Sequence, residues 1–342
     1  MAEVTGWEPD VLPGYWQRPL ALGADPDGEG DLVATLIRRG EPPGRGERSD
    51  GENHRERAVL AVHGYTDYFF HTELADHFAG RGFAFYALDL PKCGRSRRDG
   101  QTPHFTSNLA HYDGALEAAL DAIGAADVLM YGHSAGGLIV SLWLDRLRSR
   151  QVSTPISGLV LNSPFLDLHG PAILRTPPTS AALIALARLR KMQVVRKPTA
   201  GGYGTSLHRD YSGEFEYNLE WKPVGGFPVT FGWINAIRRA QLRLHRGLDV
   251  GVPSLILRSD HSVTESPEPE LIQRGDAVLD VAQIARWAGC VGNRLTVVPI
   301  TDAKHDVFLS LAEPRSAAYY ELDRWLDWYL RTGAPSTTPH SG

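Results

Sequence analysis

Short apolar segments alternate with amphipathic helical segments along most of the chain, and this alternation constrains the fold more than any other feature. The segments predicted as strands are residues 32–37, 58–62, 83–90, 128–131, 158–162, 254–257 and 295–300. The helical segments repeat apolar residues at helical spacing, as in the last one, where Ala318, Leu322 and Trp325 share a face. Such alternation predicts an α/β fold with a mostly parallel sheet flanked by helices.

The region between residues 162 and 254 breaks this alternation. It contains helical pieces at 181–189 and 234–244 with a Gly- and Tyr-rich middle. A segment of this size is too long for a loop of a compact domain, so we expect an inserted subdomain. The predicted organisation is a core at 1–164 and 252–335, a cap at 165–251 and a disordered tail at 336–342. A Gly-, Pro- and charge-rich stretch at 40–57 predicts a flexible loop.

Composition excludes several classes of protein. The 342 residues include 35 Lys and Arg against 40 Asp and Glu, so a nucleic-acid partner is not expected. The N-terminal segment carries Glu3, Glu8 and Asp10, and the chain lacks a membrane-spanning apolar run. The two cysteines, Cys93 and Cys290, suit neither a disulfide framework nor a metal site. We expect a cytoplasmic, soluble protein and leave its oligomeric state open.

One motif carries nucleophile chemistry. Residues 132–136 read Gly-His-Ser-Ala-Gly, which has the form G-x-S-x-G, and they lie between the predicted strand 128–131 and an apolar helix at 137–147. In this context the serine sits on a sharp turn whose glycines let strand and helix approach closely. The N–H of Ala135 then lies at a helix N-terminus. We predict that Ser134 is a nucleophile, the alternative being an ordinary strand-to-helix turn.

A histidine suited to act as the general base follows the last predicted strand. His305 lies in the loop between the strand 295–300 and the final helix. Imidazole exchanges protons near neutral pH, which suits it to accept the proton of a serine hydroxyl. The chain has 13 histidines, so a loop histidine without a catalytic role is the competing interpretation.

Motifs spread over the whole predicted sheet resemble those of one enzyme group. They are His-Gly-Tyr at 63–65, Asp-Leu-Pro at 89–91 with Gly94 and Ser96, the turn at 132–137, Asn-Ser-Pro at 162–164 and His-Asp-Val at 305–307. The chain thereby resembles the monoacylglycerol lipase and lysophospholipase branch of the α/β-hydrolases, which includes serine aminopeptidase-like members. The resemblance implies an α/β-hydrolase fold with an inserted cap and the chain order Ser, acid, His. It implies no metal or organic cofactor.

The same resemblance assigns an oxyanion hole. In these enzymes the residue after His-Gly supplies the second oxyanion-hole N–H, which is Tyr65 here, alongside Ala135. The bulk of Tyr65 suggests that its side chain partly roofs the pocket. One stretch departs from the usual pattern, since residues 92–96 read Lys-Cys-Gly-Arg-Ser where the group has Gly-His-Gly-x-Ser.

Two residues compete for the part of the acid in the triad. Relatives place it after the strand matched by 254–257, typically as Gly-x-x-Asp-x-Val-Val, but this chain has Ser at both the Gly and the Asp positions. Asp260 comes two residues too early, whereas Asp276 opens an Asp-x-Val-Leu segment that an insertion at 264–275 would displace. We favour Asp276 over Asp260. Asp280 is expected to be a helix N-cap, and Asp306 is a poorer candidate.

The predicted cap leaves several interpretations open. Its apolar helix at 181–189 and the basic residues after it suit transient contact with a membrane or lipid, or simply packing on the body with a solvated basic end. The aromatic residues between 203 and 233 can line a pocket or form a small core. Glu214, Glu216 and Glu220 can bind a substrate ammonium or form a solvated face.

These observations predict a serine hydrolase that acts on a small-molecule carboxylic ester, such as an acyl-glycerol or lysophospholipid, through an acyl-enzyme on Ser134. A peptidase or amidase of the aminopeptidase-like type would use the same triad. A non-catalytic ligand-binding homologue is the third class, although such proteins usually lose a triad residue. The sequence does not identify the natural ester, nor does it distinguish hydrolysis from acyl transfer.

Overall fold

The computed structural model describes residues 6–42, 57–199, 202–263 and 268–332, and within these ranges nine strands form one sheet. The strands are β1 (Glu8–Pro9), β2 (Tyr15–Ala24), β3 (Asp31–Arg39), β4 (Arg57–Val62), β5 (Ala84–Asp89), β6 (Asp127–His133), β7 (Ile156–Asn162), β10 (Ser254–Ser259) and β11 (Leu295–Ile300). Two short strands, β8 (Val194–Arg196) and β9 (Val229–Thr230), pair apart from it. The predicted tail at 336–342 and most of the predicted loop at 40–57 lie outside the described residues.

Eight α-helices lie in the described ranges, and they include every helix predicted from the sequence. They are α1 (Thr72–Gly80), α2 (Asp113–Ile123), α3 (Ala135–Ser149), α4 (Pro177–Arg190), α5 (Phe231–Leu244), α6 (Pro269–Ile272), α7 (Val281–Trp287) and α8 (Ala312–Thr332). The predicted N-cap of α7 is confirmed, since the Asp280 carboxylate accepts the N–H of Ala282 at 3.0 Å.

The sheet runs in the order β1-β2-β3-β5-β4-β6-β7-β10-β11, and the six strands from β5 to β11 are parallel. Strands β1, β2 and β3 extend it with antiparallel pairing. One buried apolar cluster lies on the sheet face covered by α2, α3 and α5, and a second lies on the face covered by α1 and α8. The predicted mostly parallel sheet flanked by helices is confirmed.

Parallel strands bring their carboxyl ends to one edge, where open α/β sheets bind ligands. Here the loops after β4, β6, β10 and β11 meet at that edge, and they carry the four segments predicted to form the site. The insertion between β7 and β10 contains α4, α5 and an irregular segment at 202–228. Its side chains pack on the loop after β4 and on the loop after β11 in a third apolar cluster, formed by Tyr68, Phe70, Leu207, Tyr217 and Leu309.

A bilayer span needs a long apolar helix. Among the described residues, none of the helices has the combination of length and apolar character required to cross a membrane.

Candidate active site

Ser134 occupies a strained turn between β6 and α3. Its backbone has φ +53° and ψ −119°, a conformation that L-residues rarely adopt and that turns the side chain away from both elements. Glycine is required on each side. A Cβ on Gly136 would lie 2.4 Å from the carbonyl oxygen of His63, and a Cβ on Gly132 would lie 2.7 Å from the Cα of Gly137. The close approach predicted for a G-x-S-x-G turn is therefore present.

This packing makes a testable prediction about Gly136. The Cβ of an alanine there would clash with the backbone of His63. Gly136→Ala is therefore expected to lower the free energy of unfolding by about 1–3 kcal/mol and to displace the Ser134 turn. Gly114→Ala in α2 is the matched control, because a Cβ there meets no atom within 4 Å. Urea unfolding of both variants checks the expectation. Equal stability of the two would show that the contact at His63 is readily relieved.

The loop after β4 lies against this turn. A Cβ on Gly64 would stand 2.9 Å from the Cβ of Ser134, so the chain segment that supplies the N–H of Tyr65 borders the serine. Ala135 is the first residue of α3, where backbone N–H groups have no partner within the helix. The Tyr65 hydroxyl donates to the carbonyl oxygen of Pro228 at 2.6 Å, and its ring lies 4.0 Å from that of Trp233. This side chain therefore reaches across to the insertion.

His305 and Asp276 are brought together by the loops after β11 and β10. The Nδ1 atom of His305 lies 2.9 Å from Oδ2 of Asp276, and both side chains are buried. The other carboxylate oxygen of Asp276 accepts the N–H groups of Val278 and Leu279, each at 2.8 Å. The His305 ring centroid lies 5.0 Å from that of His133, the residue before Ser134. The imidazole is thus fixed on one side by a carboxylate and stands beside the serine turn.

The folding of one loop explains how Asp276 reaches this position from so far along the chain. The N–H of Asp276 donates to the carbonyl of His261 at 3.0 Å, and the N–H of Val263 donates to the carbonyl of Asp276 at 2.9 Å. Ser262 and Asp276 form an isolated parallel bridge. This pairing places Asp276 beside the residues that directly follow β10, where the acid of the predicted triad is expected.

The other acids considered for this role lie elsewhere. Asp260 is partly exposed, and its carboxylate contacts Nδ1 of its neighbour His261 at 2.7 Å. Among the described residues, Asp260, His261 and Asp302 form the one group with ligand atoms close enough to hold a metal, but it is largely exposed. Arg274 already pairs with Asp302 at 2.9 Å.

A buried charge network, which sequence reasoning missed, lies beside the serine turn. Lys222 of the insertion places Nζ 2.6 Å from Oδ1 of Asp67, and His133 places Nδ1 3.3 Å from the other oxygen. Burial by itself raises the pKa of Asp67, but the Lys222 ammonium and His133 outweigh it, so this pKa lies below its ordinary value. The network joins the insertion to the loop after β4 and to the residue preceding Ser134.

A second buried lysine, Lys304, connects the loop after β11 with the insertion. Lys304, the residue before His305, donates from Nζ to the carbonyl of Ser206 in the insertion at 2.8 Å. Burial lowers the pKa of Lys304 to about 8. The Tyr203 hydroxyl accepts the N–H of Asp306 at 3.1 Å. The loop that carries His305 is therefore also held against the insertion.

The acidic residues of the insertion do not converge on the site. Glu214, Glu216 and Glu220 are all exposed. Glu214 pairs with Arg315 at 2.9 Å, and Glu216 pairs with Arg209 at 2.5 Å. These arrangements favour the interpretation of a solvated face over that of an ammonium site.

A mostly parallel sheet with a serine on a strand-to-helix turn and a histidine after the last strand defines an α/β-hydrolase. Residues 53–277 match the serine aminopeptidase S33 family, which is more than half of the chain. The chain belongs to this family. No curated protein matches it in sequence.

Two solved structures have a similar fold. A soluble variant of monoglyceride lipase from Saccharomyces cerevisiae is 18% identical, covers 91% of this chain and 94% of its own, and has a TM-score of 0.60. The monoacylglycerol lipase of Paleococcus ferrophilus is 17% identical, covers 79% and 94% respectively, and has a TM-score of 0.56. At these identities the likeness concerns the fold.

Proposed function

We propose that the protein is a serine hydrolase that cleaves carboxylic esters through an acyl-enzyme on Ser134. The observation that carries the proposal is the buried contact of 2.9 Å between His305 and Asp276 beside the strained turn that presents Ser134. The Asp276 carboxylate on Nδ1 fixes the tautomer that leaves Nε2 of His305 free to accept a proton, and it stabilises the imidazolium that forms, as a general base requires.

In the proposed mechanism His305 accepts the proton of the Ser134 hydroxyl while the serine oxygen attacks the ester carbonyl. The negative charge on the tetrahedral intermediate is held by the N–H groups of Tyr65 and Ala135, and the loss of one such donor typically costs about 10²–10³ in rate. His305 then gives its proton to the departing alcohol. Water activated by His305 attacks the acyl-enzyme and releases the acid.

Residues 165–251 serve in this proposal as a cap on a core formed by 1–164 and 252–335. Two contacts of the insertion with the loops around Ser134 and His305 support this. Lys222 donates to the carboxylate of Asp67, and the carbonyl of Ser206 accepts from Lys304. The aromatic surroundings of Tyr65, where its ring packs on that of Trp233, suit the apolar acyl chain of an ester such as an acyl-glycerol, a lysophospholipid or another small apolar ester. The monoglyceride lipases of similar fold agree with that choice.

The experiment measures the hydrolysis of p-nitrophenyl esters of increasing acyl length beside aminoacyl p-nitroanilides, in wild type and in Ser134→Ala. We expect turnover of esters that disappears in the variant, and the chain-length profile then sizes the pocket. Faster cleavage of the aminoacyl compounds would favour the peptidase alternative that the family's name suggests. Turnover of neither class by the folded chain would favour a ligand-binding protein.

We also propose that helix α4 and the segment after it touch anionic lipid surfaces. Leu189 is 83% exposed, and Leu186, Met192 and Val195 are each about 40% exposed within a stretch rich in Arg and Lys. Exposed apolar side chains with a basic border complement a negatively charged bilayer. A cytoplasmic location stays a prediction.

Vesicle co-sedimentation tests this contact. Leu189→Asp is expected to weaken binding to vesicles that contain phosphatidylglycerol by about tenfold, because it removes apolar contact and adds a negative charge. Val152→Asp is the matched control, since Val152 is 49% exposed on another part of the surface. Equal losses in the two variants would mean that only net charge matters and would contradict the assignment to α4.

A further inference from the structure

Asn162 stands at the carboxyl end of β7 and is completely buried. Its backbone carbonyl accepts the N–H of Ser134 at 2.9 Å. The residue therefore contacts the serine turn directly through the main chain, and a displacement of its position would also displace the backbone of Ser134.

The side chain of Asn162 reaches the loop that carries His305. Its Nδ2 donates to Oδ1 of Asp306 at 2.6 Å and to the hydroxyl of Tyr131 at 2.8 Å. Its Oδ1 accepts the N–H of Val307 at 3.2 Å. The donor thus meets a carboxylate and the acceptor meets an N–H, so the two ends of the amide have matching partners. Few side chains can satisfy both at once.

We infer that Asn162 is a positioning residue that sets the separation of Ser134 and His305. The inference rests on the proposed function, because it concerns how nucleophile and base are held together. The two residues lie on different loops, after β6 and after β11, and Asn162 is bonded to both. Catalytic groups must be held to within about 0.5 Å of the productive geometry, and a displacement of 1 Å can cost about 10² in rate.

The same contacts give Asp306 a defined part in this arrangement. Its Oδ1 also accepts the N–H of Phe308 at 3.0 Å, so the carboxylate closes the turn that follows His305. The hydrogen bond from the Asn162 amide to Asp306 therefore anchors the turn that follows His305. Asp276, and not Asp306, contacts the His305 ring.

The test compares Asn162→Asp with the double variant Asn162→Asp/Asp306→Asn. Aspartate has the shape of asparagine but sets a second carboxylate against Asp306, so the loop should move away from β7. We expect the rate of phosphonylation by a fluorophosphonate and the kcat for an ester to fall about 10²-fold, with KM changed less than about twofold. In the double variant an amide again faces a carboxylate, with the roles exchanged, but the NH₂ at position 306 also faces the N–H of Phe308, so only about tenfold of the rate should return.

Asn108→Asp is the control, because Asn108 is an exposed residue whose side chain accepts the N–H of Ala110, a bond that aspartate can also make. Melting temperatures of all variants separate a loss of rate from a loss of fold, and the double variant carries the test if Asn162→Asp does not fold. If wild type and Asn162→Asp are phosphonylated at the same rate, the inference is overturned and the proposed function stands. The same holds if the double variant recovers none of the lost rate. A folded wild type that does not label overturns the proposed function as well.

Discussion

Replacing Asp276 with Asn is expected to lower kcat about 10⁴-fold while KM changes little. The shape of the side chain is kept, and one oxygen can still accept the N–H groups of Val278 and Leu279. The atom facing Nδ1 of His305 becomes an amide NH₂, however, which favours the imidazole tautomer with its proton on Nε2. That tautomer cannot accept the serine proton, so the base is disabled without a change in its position. Steady-state kinetics with a p-nitrophenyl ester gives the value.

Asp260→Asn is the matched control for this experiment. Asp260 is the other acid that the sequence offered after β10, and its carboxylate contacts His261 at the surface. We expect its kcat to stay within about twofold of wild type, since substitutions on the surface usually have small effects. A larger loss for Asp260→Asn than for Asp276→Asn would reverse the assignment of the acid.

Replacing Lys222 with Met is expected to lower the free energy of unfolding at neutral pH by about 3–5 kcal/mol, because it leaves the carboxylate of Asp67 buried without its ammonium. Both side chains are more than nine-tenths buried in the wild type. The loss should shrink on acidification. In wild type the pKa of Asp67 lies below its ordinary value, so its contribution is present above that value and lost as pH falls. In the variant burial raises this pKa, and protonation relieves the penalty at higher pH.

Urea unfolding at about pH 7.5 and about pH 4.5 measures both effects. The double variant Lys222→Met/Asp67→Leu removes both charges and should recover most of the lost stability. Arg209→Met is the control, since Arg209 pairs with Glu216 on the exposed surface of the same insertion and should lose less than about 1 kcal/mol. If Lys222→Met and Arg209→Met lose the same free energy of unfolding, the buried ion pair contributes no more to stability than an exposed one.

Local patterns were sufficient to predict the parallel sheet, the helices and the serine turn. The predicted strand at 295–300 has the observed bounds, and the G-x-S-x-G turn depends on contacts between residues adjacent in sequence or in the sheet. Strand β2 was not predicted. It contains Pro19 and Gly23 and lacks a regular apolar alternation, and its place is set by pairing with β3 in the folded chain.

The site was predictable in part, for the same reason. Asp276 could be favoured from the Asp-x-Val-Leu segment, but only the pairing of residues 261–263 with Asp276 explains how it reaches His305. Lys222 and Asp67 lie 155 positions apart, and neither belongs to a motif that would reveal the other. Asn162 belongs to the Asn-Ser-Pro motif at 162–164, but its contacts with two separate loops form only in the folded chain.

Labelling with a fluorophosphonate followed by intact-mass measurement and peptide mapping tests the central claim most directly. The proposed function predicts one adduct per chain, located on Ser134, and none in folded Ser134→Ala. An adduct on another residue, or no adduct on a folded wild-type chain, would contradict the assignment of Ser134, His305 and Asp276 as a working triad.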